Sequence, residues 1–235
     1  MQAVILAGGK GKRLRPYTSV LPKPLMPIGE RPIMDILVRQ LKNYGFDELI
    51  IAVGYLHHMI ESYFGDGRDF GVKIEYSLES KPLGTAGPLA LLKERLDQNF
   101  LVLNGDLLTT INFKDLYDNH IKSRASASIA TFQREVKVDY GVIEADDDNF
   151  LEDYIEKPSL KYDVSMGINV LKKKDIETHL KMDQYLDIPN LMELLISNNQ
   201  RVKCLRQSCL WLDIGRIEDY EIAEDVYKKH IKEFK

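Results

Sequence analysis

Short apolar runs alternate with helix-spaced apolar positions through the first half of the chain. Gln2–Ala7 is a nearly continuous apolar run that stops at Gly8 and Gly9, the pattern of a fully buried strand feeding a loop. Ile33, Ile36, Leu37, Leu41 and Tyr44 then recur at helical spacing until Gly45. Strands are expected at Glu48–Val53, residues 72–78 and residues 100–104, with helices at His57–Phe64 and residues 85–96 between them. This order predicts right-handed βαβ crossovers, hence an α/β fold on a doubly wound, mostly parallel, Rossmann-like sheet.

The second half changes texture. Residues 127–133, 140–145 and 151–156 read as strands with less helix between them, which predicts a smaller, more antiparallel lobe over the sheet end. Residues 146–148 form an acidic turn in that pattern. From Ile214 the chain reads as a charged amphipathic helix with Ile217, Tyr220, Ala223 and Tyr227 toward the core. With no repeat, linker or low-complexity tract, residues 1–235 are expected to form one domain.

Composition narrows the class. Hydrophobic residues at 44% and charged ones at 29% suit a soluble globular chain. A formal net charge of −4 argues against nucleic acid as a partner. No apolar run approaches a membrane span, and the N-terminus reads as a core strand rather than a signal peptide. Cys204 and Cys209 lack CxxC spacing, so two reduced thiols and a cytoplasmic location are expected.

The chemistry is concentrated at the start. Gly8, Gly9 and Gly11 remove Cβ atoms so that backbone N–H groups can approach an anion, with Leu6 and Ala7 at the strand end beneath them. Lys10, Lys12, Arg13 and Arg15 add four positive charges, which suits a polyphosphate. Lys23 sits on a stiff segment between Pro22 and Pro24. The dinucleotide fingerprint fails because Leu14 stands where its third glycine belongs, which excludes an NAD-dependent reductase, and GxxxxGK[ST] has no match. Asp106 ends the strand FLVLNGD, where a carboxylate can hold Mg²⁺.

The segment from Gln2 to Asp35 resembles the signature of the sugar nucleotidyltransferases, GGxGTRLxPxT…PKPLxP, departing at Lys12, where threonine is usual. Trp211, Asp213, Gly215 and Arg216 match the family's W-x-D-x-G-[TR], Glu156-Lys157-Pro158 its EKP, and Tyr140-Gly141-Val142 its YGVV element. The resemblance extends to about Tyr220 and implies Mg²⁺-dependent transfer from an NTP to a sugar 1-phosphate. It assigns Asp106 and Asp213 to the metal, Arg13 and Lys23 to the triphosphate, and Lys157 beside Glu156 to the sugar phosphate. It also implies a nucleotide-binding half over residues 1–125, a sugar-phosphate half over 126–220 and a C-terminal helix over 216–235. The β-helix domain that longer members append is not expected after Lys235.

Within SMGIN, Gly167 is retained but its neighbours, Asn169 among them, depart from the family's NAGxY, which leaves the sugar open. The stretch from Glu79 through Gly84 and Thr85 matches the base-recognition element ExxPLGTAG, with Thr85 placed to cap the next helix. A carboxylate at Glu79 pairs best with the two adjacent donors of guanine. That favours GTP with mannose or manno-heptose 1-phosphate, the sequence looking most like the mannose-1-phosphate guanylyltransferases. Alternatives are a Glu79 that faces solvent, uridylyl, thymidylyl or cytidylyl transfer, and a non-catalytic sugar-nucleotide-binding subunit. A homo-oligomer is compatible with the sequence.

Overall fold

The computed structural model describes residues 1–234. The opening run forms β1 (Gln2–Ala7), and the loop after it passes through 3-10 turns to a small hairpin, β2 (Pro27–Ile28) and β3 (Arg31–Pro32). Then follow α1 (Ile33–Asn43), β4 (Glu48–Val53), α2 (His57–Phe64) and β5 (Lys73–Leu78). A 3-10 segment (Gly87–Arg95) leads to β6 (Asn99–Asn104), β7 (Leu107–Thr109) and α3 (Phe113–Ser123). The second half holds β8 (Ala127–Lys137), β9 (Val142–Ala145), β10 (Leu151–Ile155), β11 (Ser159–Lys172) and the single turn α4 (Lys173–Ile176). It closes with α5 (Ile188–Ser197), β12 (Val202–Gln207), β13 (Trp211–Asp213) and α6 (Ile217–His230).

Seven strands form one sheet in the order β12-β8-β11-β6-β1-β4-β5. β5, β4, β1 and β6 are parallel neighbours, β12 is parallel to β8, and β11 runs antiparallel to both β6 and β8. The chain moves outward from β1 through β4 to β5, then returns to place β6 on the other side of β1. That reversal opens a crevice at the carboxyl ends of β1 and β6, where sheets of this kind hold ligands.

Both faces of the sheet are covered, which is why β1 is apolar throughout rather than alternating. Ala3, Ile5 and Ala7 pack with α1, α2 and α3, burying Leu37, Ile60 and Phe113. Val4, Phe100 and Val102 face the opposite way, onto Leu89, Leu191 and Leu195. Each such side chain stabilises the fold by about 1.5–3 kcal/mol relative to exposure. A third cluster joins Ile28, Ile33 and Ile214 to Ala223 and Tyr227 of α6, with Ile217 and Tyr220 beside it, so the C-terminal helix uses the expected face. His120 is buried in α3, with its ring nitrogens 2.9 Å from Ser128 Oγ and 3.3 Å from Asn99 Oδ1.

Two expectations are revised. The helix expected over residues 85–96 is a 3-10 segment from Gly87, opened by the three-residue bond from Leu89 N–H to Ala86 O, while the N–H groups of Ala86 and Gly87 donate to Leu186 O. Thr85 therefore does not cap that segment; its hydroxyl accepts the N–H of Ile188 at the start of α5 (2.8 Å). The expected antiparallel lobe forms as a continuation of the same sheet. The inner parts of β8 and β11 belong to the main sheet, and only their outer parts and the β9–β10 hairpin project as an exposed arm. The acidic turn of that hairpin forms as expected, Asp146 Oδ1 accepting the N–H groups of Asp148 and Phe150. Both cysteines are free, and among the described residues no helix is long and apolar enough to cross a membrane.

Candidate active site

A cavity of about 460 Å³ lies at the crevice, and Leu6, Ala7, Gly8, Gly9 and Gly11 form its floor. A neighbouring hollow of about 600 Å³ shares Gly8, Gly9 and Lys12 and extends past Tyr55. Gly11 adopts φ 57°, a left-handed conformation that suits glycine, and its carbonyl accepts the Thr18 hydroxyl at 2.8 Å. This turn directs Lys12 and Arg13 into the cavity wall. Gly215 lies beside Arg13, where an added Cβ would meet Nη1 in ordinary contact at 3.4 Å. The Asp219 carboxylate fixes Gly215 by accepting its N–H and that of Arg216, at 3.1 and 2.9 Å.

Lys23 and Asp106 meet here across 83 residues, as a largely buried ion pair through Asp106 Oδ2. Asp106 Oδ1 is buried with no partner. Asp213 arrives on β13, whose register pairs it with Leu107, and Ile214 N–H donates to Asp106 O at 3.4 Å. The strand is anchored by Trp211, whose Nε1–H donates to Met166 O at 3.1 Å. Burial pushes the Asp213 carboxyl above the usual range, and the charge of Asp106 pushes it the same way against the pull of Lys23 and Arg13. A buried unpartnered carboxylate oxygen beside a second carboxylate of raised proton affinity fits a divalent cation. Among the described residues no three His, Cys, Asp or Glu side chains gather around a metal position, so Asp106 and Asp213 are the two carboxylates that could hold one here. Mg²⁺ commonly binds one or two carboxylates and takes its other ligands from phosphate and water.

Glu79 turns into the cavity rather than to solvent. Its Oε2 accepts Leu83 N–H at 3.0 Å, and Oε1 lies 2.5 Å from where a Gly8 Cβ would be. Burial raises its carboxyl above the ordinary range, and the Leu83 bond opposes that shift. Gly84 (φ 82°) and Thr85 complete the wall, clasped to the segment before α5. Thr85 N and Oγ1 donate to Asp187 Oδ1 at 2.9 and 3.1 Å. Asp187, Tyr185 and Asn104 also line the cavity, and no local sequence motif marked the first two.

The residues assigned to the sugar side are not gathered with these. Tyr140 is 79% exposed and Gly141 packs against Tyr154 on the arm. Glu156 and Lys157 are exposed and pair with each other at 3.8 Å. Lys157 adopts φ 45° in the turn before Pro158, a conformation that lysine seldom adopts, and one unusual ahead of proline. Gly167 (φ 71°) is packed beneath Asn104, where a Cβ would fall 2.6 Å from Nδ2. Asn169 does not line the cavity; it is a core position of β11, 3% exposed, with Oδ1 enclosed and unpartnered.

Residues 2–230 match the family model described as Nucleotidyl transferase. A UTP–glucose-1-phosphate uridylyltransferase of Synechocystis sp. is 34% identical, aligned over 99% of this chain and 65% of its own length. A D-glycero-α-D-manno-heptose 1-phosphate guanylyltransferase of Campylobacter jejuni is 32% identical, over 94% of this chain and 97% of its own. The crystal structure of HddC from Yersinia pseudotuberculosis superposes with TM-score 0.75 at 25% identity, covering 96% of this chain and 99% of that one. The same protein complexed with GMP-PN gives TM-score 0.74. The chain therefore belongs to the nucleotidyl transferase family, as an enzyme of the sugar-1-phosphate nucleotidyltransferase type.

Proposed function

We propose that the chain transfers a guanylyl group from GTP to mannose 1-phosphate or a manno-heptose 1-phosphate, with Mg²⁺, releasing pyrophosphate. The observation that carries the nucleotide choice is the inward Glu79 carboxylate, with Oε1 open to the cavity beside Gly8. Guanine offers two adjacent donors to such an acceptor, whereas uracil offers one flanked by carbonyl oxygens. The Campylobacter relative, which this chain matches over almost its whole length, supports the same base.

In this mechanism the chain supplies no nucleophile. A phosphate oxygen of the sugar 1-phosphate attacks the α-phosphorus in line with departing pyrophosphate, and the protein contributes position and charge. Arg13 holds the β- and γ-phosphates, and Lys23 shifts from Asp106 toward the α-phosphate. Asp106 and Asp213 would hold Mg²⁺, which neutralises phosphate charge when bound. Lys157, on its exposed turn, orients the acceptor phosphate as the arm approaches the crevice.

A second reading, uridylyl transfer to glucose 1-phosphate, is favoured by the Synechocystis relative. The two are separated by kcat/KM for GTP and UTP against mannose 1-phosphate and glucose 1-phosphate, read as pyrophosphate release. The first reading expects GTP with mannose 1-phosphate to lead; a lead for UTP with glucose 1-phosphate replaces it with the second.

A further inference from the structure

Asp187 uses its two carboxylate oxygens differently. Oδ1 is tied into the fold by Thr85 N and Oγ1, 102 residues away in sequence, and a Cβ at Gly84 would lie 2.8 Å from it. Oδ2 receives a single hydrogen bond, from the hydroxyl of Tyr185 at 2.7 Å. Tyr185 is 64% exposed and stands two residues away, and both side chains line the nucleotide cavity. Releasing that bond returns the phenol to water, which costs little, whereas releasing Oδ1 would detach the base-reading loop from α5. Burial raises the Asp187 carboxyl, but the bonds from Tyr185 and Thr85 outweigh it and hold the group below its ordinary range. It is therefore ionised at neutral pH and can only accept hydrogen bonds.

We propose that Asp187 contacts substrate and sets specificity, its Oδ2 accepting a ring hydroxyl of the bound ligand in place of the Tyr185 hydroxyl. A carboxylate repels phosphate and accepts from a neutral donor, and the cavity's cationic groups Arg13 and Lys23 serve the phosphates instead. The hydroxyl belongs to the acceptor sugar or to the ribose of the nucleotide. The inference rests on the proposed nucleotidyl transfer to a sugar 1-phosphate.

The test measures kcat/KM for wild type, Asp187→Asn and Tyr185→Phe by pyrophosphate release. One arm uses mannose 1-phosphate and its 2-, 3-, 4- and 6-deoxy analogues; the other uses GTP and its 2′-deoxy and 3′-deoxy forms. One deletion should cost wild type about 10-fold or more, and Asp187→Asn should cost the parent substrate about as much. The same variant should cost that deoxy substrate less than about 3-fold, since the contact is already missing. The arm in which this occurs names the sugar. Tyr185→Phe frees Oδ2, so it should lower KM for the same substrate with an unchanged melting temperature. An equal loss on every substrate would make Asp187 a structural brace and overturn the inference, as would a wild type indifferent to every deletion. A wild type that transfers to no sugar 1-phosphate overturns the proposed function and this inference with it.

Discussion

Gly8→Ala tests whether the base is read by the carboxylate above it. Gly8 has no left-handed φ, so alanine is compatible with the backbone, and the perturbation is the added methyl group alone. Its nearest neighbour would be Glu79 Oε1 at 2.5 Å; the next group beyond that carboxyl is Gly54 N at 3.7 Å. Ordinary contact begins near 3.4 Å, so the carboxyl has to retreat by about 0.9 Å. A base hydrogen bond of about 2.9 Å would stretch to about 3.8 Å, beyond useful geometry. Losing one charge-assisted bond costs about 1.5–3 kcal/mol, which is roughly 10- to 150-fold in kcat/KM for GTP. The assay is pyrophosphate release with GTP, in wild type, Gly8→Ala, Glu79→Ala and the double variant. If the methyl acts through Glu79, adding it to Glu79→Ala should cost less than about 3-fold, because the two changes remove one interaction. Fully additive losses would refute the reasoning, since Gly8 would then act on the phosphates and Glu79 would be incidental.

Asp106→Asn and Asp213→Asn should each abolish turnover while the chain stays folded, checked by activity and thermal melting. The folded chain holds the Asp213 proton more tightly than the unfolded one, so metal-free stability should fall as pH rises through the carboxylate range. Mg²⁺ should then raise the melting temperature more at pH 7 than at pH 4. Arg13→Ala should mainly raise KM for the nucleotide and Lys157→Ala mainly that for the sugar phosphate; matching effects on both would misplace one of them. His120 is lowered to about 4 by burial, with Lys172 adding to the effect and Asp175 opposing it. Its neutral form stabilises the fold above pH 6.5, and up to roughly 3 kcal/mol should be lost as pH falls from 6.5 to 4, a loss that denaturant titration should find absent in His120→Gln.

The parts legible in the sequence are those decided by near neighbours. Glu48–Val53 and His57–Phe64 have the expected bounds because a buried strand and an amphipathic helix each declare their period within a few residues. The glycine loop and the strand-end Asp106 could be placed for the same reason. α5 carries Ile188, Leu191, Met192 and Leu195 at helical spacing, a signal that the texture of the second half obscured. The long β11 and the clasp of Thr85 on Asp187 depend on partners far along the chain, and no local pattern encodes them. Asn169 failed as a cavity residue because its place in β11 turns it toward the core.

The central claim is transfer of the α-phosphorus to a sugar phosphate, and isotopic labelling reads it directly. GTP labelled at the α-phosphate, and separately at the γ-phosphate, is incubated with mannose 1-phosphate, Mg²⁺ and the enzyme, and the products are separated. The account predicts α-label in a GDP-sugar and γ-label in pyrophosphate, in equal amounts. Label released as GDP and orthophosphate, with no sugar nucleotide formed from any sugar 1-phosphate offered, would contradict it.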